Sequence, residues 1–262
     1  MTAMEVVTGR VVNPGATVTA LTPNTNNTFT IRSFPDQSPA YISGLWAQNA
    51  TAGAVRLRSP RLHDNVQNIR FQSPAAQVRN FLPDQAQQRA YPNDPLTFEM
   101  SGGGAETDSA AFLAYYSDLP GIAARLSMWD QIKPRIVNLV TVEVAVAGPV
   151  TAGDWSPGTV ITTTFDLLKS DKDYAVLGYQ SGTNCLAVAI QSSDTGNLKV
   201  GGPGPTESIE TRDWFISLSN ALNMPAIPIL NSNNKGSTNA FVALNTAAGT
   251  VTVDYLLAEL AS

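Results

Sequence analysis

The chain has 262 residues with 16 Lys and Arg against 21 Asp and Glu, a net charge of −5. That length suits two domains of average size, and the acidity argues against a sequence-general nucleic-acid binder, which needs a basic face to displace counterions from phosphates. Charged residues make up 14% of the chain, against roughly 25% in an average soluble protein, so the surface is either rich in Thr, Ser, Asn and Gln or covered by other subunits.

Along the chain the dominant signal is short β-type runs separated by Gly, Pro, Asn and Asp clusters. The first half offers Glu5–Val12, Ala16–Leu21, Thr28–Phe34, Tyr41–Ala47, Ala54–Arg58, Asn68–Gln72, Leu96–Met100 and Ala110–Tyr116. Between Asn68–Gln72 and Leu96–Met100, the segment Ser73–Arg89 reads as a helix, with Val78, Phe81, Leu82 and Ala86 on one face. A second helix is expected where Asp118-Leu119-Pro120 gives a start signal; it continues through Ala123, Ala124, Leu126 and Met128 until Lys133-Pro134 stops it. The second half offers Leu139–Ala147, Val160–Leu167, Tyr174–Tyr179, Cys185–Gln191, Ala226–Leu230, Thr238–Leu244 and Thr250–Leu260 as strands. A third helix, Thr206–Leu222, carries Ile209, Phe215, Ile216, Leu218 and Leu222. Gly201-Gly202-Pro203-Gly204-Pro205 reads as a stiffened turn into it, and Ser101–Asp108 and Thr151–Gly158 read as loop tips. No run reaches the ~18 to 20 apolar residues of a membrane span, and the N-terminus has no leader pattern, so a soluble chain made in a cytoplasm is expected.

Residues 41 to 95 recur without a gap 133 positions later. Tyr41/Tyr174, Ala54/Ala187, Val55/Val188, Ser59/Ser192, Arg79/Arg212, Pro92/Pro225 and Pro95/Pro228 are identical, seven of 55 positions. The mismatches keep character at Trp46/Tyr179, Leu57/Ile190, Asn80/Asp213, Phe81/Trp214 and Leu82/Phe215. After the prolines the offset grows to 141, where Leu113–Leu119 faces Asp254–Leu260, as an eight-residue insertion would produce. A period of half the chain means two copies of one domain, not an array. Arg79 and Arg212 should then occupy equivalent places.

Candidate chemistry is sparse. Asp194-Thr195-Gly196 is the aspartic-protease triplet, but that chemistry needs two aspartates sharing a proton, and the offset places Arg61-Leu62-His63 opposite; a polar turn is the better reading. His63 is the only histidine, which leaves histidine metal sites and Ser-His-Asp triads poorly supplied, and beside Asp64 it reads as a turn residue. Glu106 with Asp108, and Asp171 with Asp173, lack the spacing of a calcium loop and read as solvated charge. Gly102-Gly103-Gly104 lacks the Lys-Ser/Thr of a phosphate loop. Cys185 reads as a small buried apolar residue. Arg56, Arg58, Arg61, Arg70, Arg79 and Arg89 stand against only Asp64 and Asp84, a local charge of +4, and pairing with carboxylates of the fold or of a neighbouring subunit is expected. Trp46 and Trp214 are expected in the core, whereas Trp155, in the loop Gly153–Gly158, is expected to be exposed and to mark an interface or ligand contact. No catalytic, cofactor-binding or metal-ligating set is nominated.

Two successive eight-strand units, a helix in each, a helical linker and duplicated segments such as Gly53-Ala54-Val55-Arg56-Leu57 and Leu186-Ala187-Val188-Ala189-Ile190 resemble the double jelly-roll major capsid proteins of tailless icosahedral viruses, corticovirus-like phages and their relatives. The resemblance implies an all-β chain: a first jelly roll at 1–118, a linker helix at 119–136 and a second jelly roll at 137–262. It also implies a non-enzymatic structural role in the virion as a homotrimer whose six jelly rolls form a pseudo-hexagonal capsomer. Partners would be other copies of the chain, penton-type capsid proteins and, on the inner face, a membrane or genome. The alternative reading is a carbohydrate-binding or adhesive β-sandwich protein.

Overall fold

The structure, a computed structural model, describes residues 2–32, 40–48, 51–62, 64–73, 82, 88–117, 121–182, 184–205 and 210–261. Its first half contains β1 (Ala3–Val12), β2 (Thr19–Ala20), β3 (Thr22–Pro23), β4 (Ala40–Gln48), β5 (Gly53–Arg58), β6 (Ile69–Ser73), β7 (Gln88–Ala90), β8 (Thr97–Ser101) and β9 (Thr107–Tyr116). A connection follows with β10 (Leu126–Ser127), a one-turn helix α1 (Trp129–Ile132) and a 3-10 turn at Lys133–Arg135. The second half contains β11 (Ile136–Ala147), β12 (Thr159–Val160), β13 (Asp173–Ser181), β14 (Cys185–Gln191), β15 (Val200–Pro203), helix α2 (Trp214–Leu222), β16 (Ile227–Asn231), β17 (Asn239–Leu244) and β18 (Thr250–Leu260).

These strands form four antiparallel sheets with a repeated order. In the first half β1-β9-β4-β7 lie side by side, with β3 flanking β1, and β2-β8-β5-β6 form a second sheet. In the second half β11-β18-β13-β16 and β12-β17-β14-β15 reproduce both orders strand for strand, with β10 added beside β16. Each half is thus an eight-stranded jelly-roll sandwich, as expected from the sequence. Even the irregularity recurs: β4 shifts register against β9 between Ile42 and Gly44, and β13 shifts against β18 between Val176 and Gly178. A Cβ at Gly178 would stand 2.2 Å from the Arg212 carbonyl oxygen, so glycine is required at that bulge.

The sheets stack into layers, and β9 shows how. Ala110, Phe112, Ala114 and Tyr116 belong to the core between the first two sheets, with Val55, Leu57, Phe98 and Met100. Ala111, Leu113 and Tyr115 belong to the core of the second half, with Met4, Val6 and Trp46. A strand covered on both faces must be apolar at every position, which is why Ala110–Tyr116 reads as an unbroken run. In contrast, β11 buries Val142, Val144 and Val146 and exposes Thr141, Glu143, Ala145 and Ala147, because it lies on the outside of the stack. The helix α2 presents Trp214, Phe215, Leu218 and Leu222 to the core and ends at Asn223, which takes the left-handed conformation (φ 50°) that closes many helices. Trp214 meets Trp46 of the first half edge to face, 5.6 Å between ring centres.

Several expectations are corrected. The duplication is real in topology but not gap-free to residue 95. The bulge glycines Gly44 and Gly178 lie 134 residues apart, whereas Met100, opposite Val55, corresponds to Val242, opposite Val188, an offset of 142. Pro92 follows β7 while Pro225 precedes β16, so the proline pairs are not counterparts. The insertion therefore falls before β7 and β16. Trp46 and Tyr179 also differ: Trp46 points to the neighbouring half, while Tyr179 hydroxyl donates to the Pro203 carbonyl within its own sandwich. Arg79, His63 and nearly all of the helix expected at Ser73–Arg89 lie outside the described residues, as does the start of Thr206–Leu222.

The connection expected as a helix is extended over most of its described length. Ala124 bridges Thr195, Arg125 exchanges backbone hydrogen bonds with Asp194 and Ile229, and β10 pairs with β16. These partners outweigh local helix propensity, leaving only α1 and the 3-10 turn. Of Thr28–Phe34, the described part makes an isolated bridge, Thr30 to Pro95, and its Phe29 and Ile31 carbonyls accept from Leu96 and Asn93 N–H at 2.8 and 3.0 Å. Val160–Leu167 is strand only at its start. The stretch Gly201-Gly202-Pro203, expected as a turn, lies in β15: a Cβ on Gly202 would stand 2.3 Å from the Trp214 indole, and the same indole donates to Gly201 carbonyl at 3.1 Å. Gly202 makes room for the tryptophan, and Gly201 for the backbone of β14, whose Val188 carbonyl oxygen a Cβ would meet at 2.0 Å.

Candidate functional site

Two groups of polar residues meet at the seam where the two halves join, one around Asp194 and one around Asp154 and Trp155. The Asp194-Thr195-Gly196 triplet sits in a turn against the connection. Its Asp194 accepts from Asn231 N–H at 2.8 Å and from Asn234 Nδ2 at 3.1 Å. Arg125 is 3.8 Å away and pairs more closely with Asp173 at 2.6 Å. Gly196 takes φ 66°, and Leu198 reaches into the first core beside Ile122 and Ala124. Asp194 thus ties its turn to Asn231 and Asn234 of the same half and to Arg125 of the connection, and the polar-turn reading describes it.

Trp155 overturns the expectation of exposure: it is 5% exposed, and its indole donates to Asn27 Oδ1 at 3.0 Å. Asp154 beside it accepts from Thr25 N–H (2.7 Å), Thr25 hydroxyl (2.8 Å) and Trp155 N–H (2.7 Å), and pairs with Arg10 at 2.9 Å. Burial alone would raise the Asp154 carboxyl, but the Thr25 and Trp155 donors and Arg10 hold it below its ordinary range. Asn24 Nδ2 completes the clamp on Gly153 carbonyl at 2.8 Å. Trp155 does mark an interface, but one within the chain.

Next to this clamp lies a cavity of about 240 Å³ lined by Glu5, Asn26, Asn27, Arg32, Gln191, Asn197, Lys199 and Phe241. Sequence reasoning missed it. Its floor is built on the buried Glu5 carboxylate: Arg32 grips it through Nε and Nη2 at 3.0 and 2.7 Å, and the buried Tyr116 hydroxyl donates to it at 2.7 Å. Burial and the Glu5 charge push the Tyr116 phenol far above its ordinary range. Lys199, only 8% exposed, places its ammonium 4.6 Å from the Phe241 ring centre, and its backbone carbonyl receives the Val6 N–H at 2.9 Å. Burial lowers its pKa, with Glu5 and Asp154 opposing the shift and Arg32 adding to it. The one legible signal was Glu5, a carboxylate inside the otherwise apolar start of β1.

Three arginines of the cluster, Arg56, Arg58 and Arg61, pair with carboxylates of the fold. Arg56 and Arg58 share Glu99 at 2.7 and 2.9 Å, Arg61 pairs with Asp94 at 3.0 Å, and Arg89 lies over the Tyr41 ring. Cys185 is buried, and burial pushes its thiol up to about 12. Asp171 and Asp173 are committed to Asn233 and Arg125, and Glu106 accepts from Gly103 N–H in the turn around Gly102–Gly104. Among the described residues no group of three His, Cys, Asp or Glu is placed to hold a metal, and no helix is long and apolar enough to cross a membrane.

The outer surface offers contact features instead. β11 is an edge strand twelve residues long, and Val137 and Leu139 on it are 64% and 55% exposed. The loop after β12 approaches the same strand, Thr164 hydroxyl accepting from Ala145 N–H at 3.2 Å, and it exposes Phe165 and Leu167.

No family model matches the chain, and no curated protein matches it. Solved structures do. The major capsid protein P2 of bacteriophage PM2 aligns over 100% of this chain and 98% of its own at 6% identity and TM-score 0.25. A chain of Sulfolobus turreted icosahedral virus aligns over 99% and 80% at 10% identity and TM-score 0.24. Peptide:N-glycanase F, an enzyme, aligns over 100% and 96% at 9% identity and TM-score 0.23. Such scores assign neither a family nor an activity.

Proposed function

We propose that the protein is a structural major capsid protein of the double jelly-roll type, with sandwiches at 1–118 and 137–262. Three chains would assemble into a pseudo-hexagonal capsomer of an icosahedral virion, in which penton-type proteins and an inner membrane or genome are the further partners. The observation that carries this reading is the repetition of both sheet orders within one chain. Two like sandwiches, fixed side by side by a shared core, give three chains six near-equivalent blocks, and a reused surface closes into a ring when the rotation allows it. The exposed edge of β11 with Val137, Leu139, Phe165 and Leu167 is an apolar surface of the kind that subunits cover. The chain's low charge fits the same role.

The carbohydrate-binding alternative loses its marker, since Trp155 is buried in the seam and not displayed on a loop. Light scattering tests the proposal: at micromolar concentration a stable trimer is expected, and Leu139→Glu together with Phe165→Glu should shift it toward monomer. A strictly monomeric wild-type chain contradicts the reading.

A further inference from the structure

The seam cavity holds one more positive charge than its surroundings neutralise. Glu5 is matched by Arg32 and Asp154 by Arg10, whereas Lys199 Nζ makes no ion pair or hydrogen bond among the described residues and lies over the Phe241 ring, with Glu5 and Asp154 acting on it only at longer range. A buried ammonium without a partner is costly, and buried charges in folded proteins are paired or hold a ligand. The cavity is several times the ~30 Å³ share of one water, which leaves room for a small ion with residual hydration. Its remaining wall is amide. Asn27 spends Oδ1 on Thr8 N–H, Thr8 hydroxyl and the Trp155 indole, so its Nδ2 donors are left over among the described residues; Asn26 and Asn197 stand beside it. Lysine with neutral amide donors is the chemistry that receives an oxyanion.

We propose that this cavity is an anion site that takes a small oxyanion, a phosphate or carboxylate group, with Lys199 as its charged donor and Asn27 as a neutral one. The site is independent of any assembly role. Because its walls come from β1 and the loop after β3 on one side, and from β14, β17 and the loop before β15 on the other, an occupant ties the two sandwiches together.

The test is a thermal-melting titration of the intact chain with inorganic phosphate, and separately with acetate, at constant ionic strength set by chloride. A saturable rise of about 5 °C or more is expected at a hundredfold excess over Kd for at least one probe, and the better probe identifies the preferred geometry. Lys199→Met should abolish the saturable rise while melting no lower than wild type in chloride, since it removes an unpaired buried charge. Gln191→Glu, which puts a carboxylate in the wall, should weaken the probe at least about tenfold and still decides the matter should Lys199→Met fail to fold. An equal rise in Lys199→Met, a rise that never saturates, no rise at all, or an unchanged affinity in Gln191→Glu overturns the proposal.

Discussion

Glu99 shows how a single residue settles a question that composition raises. Arg56 and Arg58, part of the apparent basic patch, both close on its carboxylate. Burial alone would raise its pKa; the hydrogen bonds from Arg58 and Arg56 overcome this and hold it below the usual carboxylate range. Glu99→Gln should therefore destabilise the fold by about 2–3 kcal/mol in urea denaturation, because two guanidinium groups lose one anion. The sign with pH follows. Glu99, Asp154 and Asp173 all have lowered pKa values, so the unfolded chain binds protons first on acidification. Their contribution is complete above the unfolded value near 4 and is lost as pH falls through the folded values, so denaturation midpoints should be flat from pH 7 to about 5 and decline below about 4. Cys185, buried and with its thiol pushed up to about 12, should resist iodoacetamide at pH 8 in the native state and react promptly in urea. Its burial was legible from the apolar run Cys185–Ile190, whereas the partner of each arginine was not, since Glu99 and Asp94 lie some thirty to forty positions away and only strand pairing brings them together.

At the scale of elements, pattern predicted what local physics decides and failed where a distant partner decides. Unbroken or alternating apolar runs located β1, β4, β5, β9, β11, β13, β14, β17 and β18, most within a residue or two. The misses have a common cause. β15 contains two glycines and a proline, a turn signature, yet it is a strand because it pairs with β14, and Trp214 occupies the space that a side chain at Gly202 would fill. Gly202→Ala should cost about 1–3 kcal/mol by overpacking, and markedly less in a Trp214→Phe background, where the smaller ring leaves room. Equal costs in both backgrounds, read from a double-mutant cycle, would show that the tryptophan is not the reason for the glycine. Likewise Leu126–Ser127 is strand because β16 offers it an edge, a fact absent from its own sequence.

For the whole molecule, the internal echo proved right in kind and wrong in alignment: the sheet orders repeat, while the proline pairs that helped reveal the echo are not equivalent. The seam was the least legible part. Trp155, Asp154 and Lys199 meet partners from the opposite half of the chain, and no spacing rule links them. Since one core cluster runs from Met4 and Trp46 through to Tyr255, the two sandwiches should melt in a single cooperative transition, and Asp154→Ala should lower it by about 2–4 kcal/mol. The central claim, that this paired block exists to tile a shell, is tested most directly by negative-stain electron microscopy of the purified chain at micromolar concentration. Six-lobed, hexagonal particles built from three chains are expected; a field of single two-lobed particles at every concentration would contradict it.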